Sequence, residues 1–96
     1  MAKIESTFLG SSPLLPCQCR AARGLLDWTQ EELADRAGLS RSTVREFEHG
    51  RHALQSGSAE RIIAAFTSAG VELTGGGGSG AGVRFRTAVA PPGQTG

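Results

Sequence analysis

The 96-residue chain is long enough for one small domain, and its formal net charge of +1 gives no strong field of either sign. That balance counts against indiscriminate binding to nucleic acid, and no apolar run is long enough to predict a membrane span. Fourteen residues are glycine, six of them between Gly75 and Gly82, so part of the chain adds little to a core.

Residues 1–15 read as a polar, proline-broken lead without periodicity, expected to be flexible. The lead lacks a signal-peptide core, and a cytoplasmic protein is expected. Helical signals run through residues 16–70. Residues 71–96 change character, ending in APPGQTG, which reads as a disordered tail. Cys17 and Cys19 are too close for an unstrained disulfide and too few for a zinc site; both are expected to be reduced, with no metal and no cofactor.

The first helix is predicted from Pro16 to about Asp27, since proline suits a first helical turn. Leu15 then stands at the capping position without a side-chain oxygen, and Gln18 is placed to reach back to a free amide. Cys19, Ala22 and Leu26 form its buried stripe. Thr29 and Glu32 make the Thr-x-x-Glu capping pattern of a second helix, with Leu33, Ala34 and Ala37 inward and Gly38 as its stop. Trp28 is expected to fill the gap between the first two helices. Ser40 caps a third helix whose apolar pair is Val44 and Phe47, ended by Gly50. A fourth is capped by Ser56 or Ser58, carries Ala59, Ile62 and Phe66 inward, and closes at Gly70. Beyond it VELT and VRFR alternate as strands, with GGGGSGAG as the loop of a loose hairpin. Glu72 would then face Arg84 or Arg86. A lone hairpin is marginal in water, so it must lean on the helices or on a second copy.

Ala34, Gly38 and Val44 stand at gaps of four and six, with Leu39 tucked inward: the spacing of a helix-turn-helix corner. At 100° per residue, Val44 and Phe47 set the buried direction of the third helix. Ser42, Arg45, Glu46 and His49 fall opposite, flanked by Arg41 and Thr43. Glu48 lies close to the buried side and needs a partner, for which Arg23 is the candidate.

Such a surface suits the major groove of double-stranded DNA. Arg41 has the donor pair for guanine, Ser42 and Thr43 donate or accept, and Glu46 accepts from a cytosine amine or pairs with Arg45. Arg45 is either in that pair or a phosphate ligand. Gln30 presents its amide and the free N–H groups of a helix start to a phosphate. Arg84 and Arg86 could touch the DNA backbone or simply keep a strand edge soluble.

The stretch QCRAARGLLDWTQEELADRAGLSRSTVREFEHGR resembles the Cro/phage-repressor-type helix-turn-helix family, also called the XRE family, over residues 18–70. The resemblance implies an all-α fold: a compact four- to five-helix bundle, here with a short C-terminal β-hairpin or strand extension. It implies phosphate contacts from Gln30 and Ser40, base contacts from Arg41, Ser42, Thr43 and Glu46, backbone contact from Arg51, and a structural Arg23–Glu48 ion pair. Members usually act as homodimers, and an exposed strand edge after Gly70 could pair two copies.

The expected function is that of a sequence-specific, repressor-like transcriptional regulator without catalytic residues. The competing reading is a protein-interaction module or antitoxin-type partner protein on the same fold. The run Gly75–Gly78 lacks the lysine and flanking context of a phosphate loop, so an enzyme is not expected.

Overall fold

The computed structural model describes residues 14–76 and 79–87. Among them are four helices, α1 (Pro16–Leu26), α2 (Gln30–Ala37), α3 (Arg41–Glu48) and α4 (Ser56–Ser68), and an antiparallel hairpin of β1 (Val71–Gly76) and β2 (Ser79–Phe85). The expected range of four to five helices thus narrows to four within the described residues.

Helix α1 starts at Pro16 without a side-chain cap on Leu15, yet the Leu15 N–H is satisfied by Gln18 Oε1 at 2.9 Å. It stops at Leu26, a residue earlier than expected, because Asp27 adopts the left-handed conformation with φ 59° and Trp28 N–H closes onto the Arg23 carbonyl. In α2 both halves of the capping box form, Thr29 Oγ1 accepting from Glu32 N–H and Glu32 Oε1 from Thr29 N–H. Gly38 then takes φ 72°, and Leu39 N–H bonds the Ala34 carbonyl, making the corner. Ser40 Oγ caps α3 through Thr43 N–H. Neither serine proposed for α4 is its cap: that position falls to Gln55, whose carbonyl accepts from Ser58 and Ala59, so both serines lie within the first turn.

The core joins Cys19 and Ala22 of α1, Leu33, Ala34 and Ala37 of α2, Val44 and Phe47 of α3, and Ile62 and Phe66 of α4. A side chain such as Phe66 or Ile62 contributes about 1.5–3 kcal/mol on full burial. Leu14 and Val71 complete it, both fully buried. Leu14 therefore belongs to the packed domain and not to the lead; residues 1–13 lie outside the described residues. Two leucines between prolines have no periodicity, so only tertiary contact marks Leu14 as core and leaves Leu15 exposed. Trp28 reaches beyond the α1–α2 gap. It stacks on Phe66 with centroids 5.9 Å apart, and the Arg36 guanidinium lies over its ring, 4.3 Å from the centroid.

The boundary at residue 70 divides sequence character but not packing. Val71 pairs with Phe85 and Leu73 with Val83, so the alternating apolar residues share one face, which packs against the core. β2 lies on α1, and β1 touches both α4 and α1. The expected eight-residue glycine loop is corrected: strand pairing continues to Gly76 and Ser79 through a bulge after Thr74. Gly75 has φ 118°, and a Cβ there would sit 2.8 Å from Ala81 Cα, a cross-strand approach open only to glycine. Glu72 pairs with Arg84, at 3.6 Å, while Arg86 donates to the Thr67 carbonyl. Gln18 ties the hairpin down: its Nε2 donates to the carbonyls of Thr74 and Gly82, one on each strand, at 3.1 Å. The tail at residues 88–96 lies outside the described residues.

Candidate nucleic-acid interface

Helix α3 is held by three side chains. Val44 and Phe47 are buried in the core, and Glu48 is buried beside them. Burial alone would raise the carboxyl pKa of Glu48, but hydrogen bonds from Arg23, Cys19 and Gln30 outweigh it and hold the group below its usual range. Arg23 forks onto it, Nε to Oε2 at 2.8 Å and a terminal nitrogen to Oε1 at 2.7 Å. Gln30 Nε2 donates to Oε1 at 3.0 Å, and Cys19 Sγ to Oε2 at 3.0 Å. Arg20 binds the Glu48 backbone carbonyl. Hydrogen bonding to the carboxylate in turn raises the Arg23 pKa. Charge-assisted, forked bonds of this kind fix orientation as well as energy. The end of α3 is thus anchored to α1 and α2 together.

With that side fixed, α3 turns Arg41, Ser42 and Arg45 to solvent, and Thr43 and Glu46 are half-buried. Among the described residues, the side chains of Arg41 and Ser42 make no hydrogen bond or ion pair. Both are free to meet a ligand. Thr43 is less free, since its hydroxyl lies 2.9 Å from that of Ser40, and Ser40 Oγ is also the helix cap. Glu46 stands between two arginines, 3.8 Å from Arg45 and 3.9 Å from Arg51. Exposed pairs at such separations are worth less than about 1 kcal/mol, so both guanidinia can exchange Glu46 for another anion.

Gln30 differs from expectation in one respect. Its amide nitrogen is directed to buried Glu48 instead of wholly outward, which leaves the second N–H and the free N–H groups at the start of α2 for an external acceptor.

Residues 20–68, just over half of the chain, match the family described as Helix-turn-helix. The chain belongs to this family, in its Cro/phage-repressor-type branch. No curated protein matches the chain. The helix-turn-helix domain is a DNA-binding domain, and the match covers α2 and α3 with the corner between them. The matched range begins at Arg20, within α1, and ends at Ser68, the last residue of α4, before the hairpin of the helix-turn-helix protein. The Arg23–Glu48 pair was legible in the sequence from the awkward placement of a carboxylate near a buried face. The parts played by Cys19 and Arg20 were not, because a cysteine on a buried stripe looks like any small apolar residue. None of the helices among the described residues is long and apolar enough to cross a membrane.

Proposed function

We propose that the protein is a sequence-specific transcriptional regulator, repressor-like in action, that inserts α3 into the major groove of double-stranded DNA. The observation that carries this reading is the pair Arg41 and Ser42, exposed and unengaged at the start of a helix whose other face is locked by Val44, Phe47 and Glu48. Arg41 suits the two acceptors on a guanine edge, and Ser42 and Thr43 suit adjoining base edges. Glu46 is offered to a cytosine amine. Arg45 and Arg51 are offered to phosphates, together with Gln30 and Ser40 at the two helix starts.

A single helix reads few base pairs, so a homodimer on an inverted repeat is the second part of the proposal, with recognition helices about 34 Å apart. Among the described residues the two-stranded hairpin leaves an unpaired edge on each strand, which gives a second copy somewhere to join. One observation favours the competing protein-interaction reading: Glu46 offsets Arg45 and Arg51 in a chain of net charge +1.

The test is selection of bound sites from random duplex DNA, beside the double variant Arg41→Ala/Ser42→Ala. A recovered inverted repeat, lost with the double variant, is the expected result. Selection of nothing above background would replace this function by the protein-interaction module or antitoxin-type reading.

A further inference from the structure

We propose that Cys19 is a positioning residue for the nucleic-acid interface: its thiol holds the Glu48 carboxylate and, through it, the Gln30 side chain in one orientation. This role rests on the DNA-binding reading above. A carboxylate offers about four lone-pair sites. Those of Glu48 meet four donors, two on each oxygen: Arg23 and Cys19 on Oε2, Arg23 and Gln30 on Oε1. Cys19 is fully buried, so water cannot take the place of a missing thiol without opening the core. Burial and the neighbouring carboxylate push its pKa up, which keeps the sulfur protonated and able to donate.

Without the S–H donor, Oε2 retains only Arg23, so the fork alone resists a turn of the carboxylate about its Cγ–Cδ bond. Any such turn displaces Oε1 and the amide resting on it. Gln30 is the first residue of α2, where backbone N–H groups and a side-chain amide are offered to a phosphate.

The experiment compares the full chain with Cys19→Ser, which keeps a donor, and Cys19→Val, which fills the space without one. In the DNA-free protein, the Gln30 side-chain NH2 protons should be slow to exchange in the wild type and in Cys19→Ser, and fast in Cys19→Val. On the duplex selected by the wild type, Cys19→Val should bind about three- to fivefold more weakly, the scale of one modest hydrogen bond. Cys19→Ser should restore the affinity. In a Gln30→Ala background the valine substitution should cost almost nothing, which a mere packing defect would not produce. Equal affinity for all three proteins, with only a lower Tm for Cys19→Val, would overturn the positioning role alone. So would an undiminished loss in the Gln30→Ala background. A wild type that selects no duplex would overturn the DNA-binding reading and this role with it.

Discussion

Glu48 is a charge inside a small core, and its environment decides both its protonation and its worth. Removing one partner of a buried pair costs about 3–5 kcal/mol, with the lower end apt here because the Arg23 side chain keeps some exposure. The folded carboxyl pKa lies below the ordinary 4.5. Its stabilisation is therefore complete above that value and is lost as pH falls through the depressed folded value. Glu48→Gln should lower Tm at neutral pH, and the gap from the wild type should shrink well below pH 4.5. A gap that stays constant over that range in a thermal-melt series would show that the charge is not what stabilises. Arg41 presents the opposite case, an exposed side chain with little structural role. Arg41→Ala should leave Tm unchanged but cost about 1–3 kcal/mol of binding and relax selection at one base position.

At the level of elements, the hairpin is held by a few contacts that act together. Two strands alone are marginal, and these gain stability from the buried Val71, the half-buried apolar face and the Gln18 amide spanning both strands. Gln18 uses both amide protons and its oxygen, so every polar part of this buried side chain is satisfied. Gln18→Leu should cost about 2–3 kcal/mol, as several partners lose their bonds at once. Hydrogen exchange should quicken in β1 and β2 first, while α2 and α3 stay protected. Uniform loss of protection across the chain would mean that the hairpin does not open as a separate unit.

For the whole molecule, assembly is the open variable. The apolar side chains Leu73 and Phe85 turn onto the helices, so charged replacements there would damage the fold as well as any contact between copies. The state of the intact chain is the cleaner observable. Sedimentation with a duplex carrying an inverted repeat should give two protomers per duplex. Affinity should peak when the half-site centres are about 10–10.5 base pairs apart. One protomer per duplex at saturation would remove the homodimer. Affinity should also fall steeply with salt, and Arg51→Ala should lessen the slope by about one.

The sequence by itself determined the local features. Thr29 with Glu32 marks where α2 begins, Gly38 where it ends and Ser40 where α3 begins, and Val44 with Phe47 tell which side of α3 is hidden. Caps and periodicity act within a few residues, so they are legible one segment at a time. The outward placement of Arg41, Ser42 and Arg45 follows from the same arithmetic. Tertiary structure alone decided the rest: Leu14 as core, Trp28 on Phe66, Gln18 across two strands, and Cys19 with Gln30 on Glu48. Glycine-rich strands were equally hidden, since residues without side chains carry no alternation to read. These features join positions up to 64 residues apart, and their partners are chosen by packing geometry that no local pattern encodes.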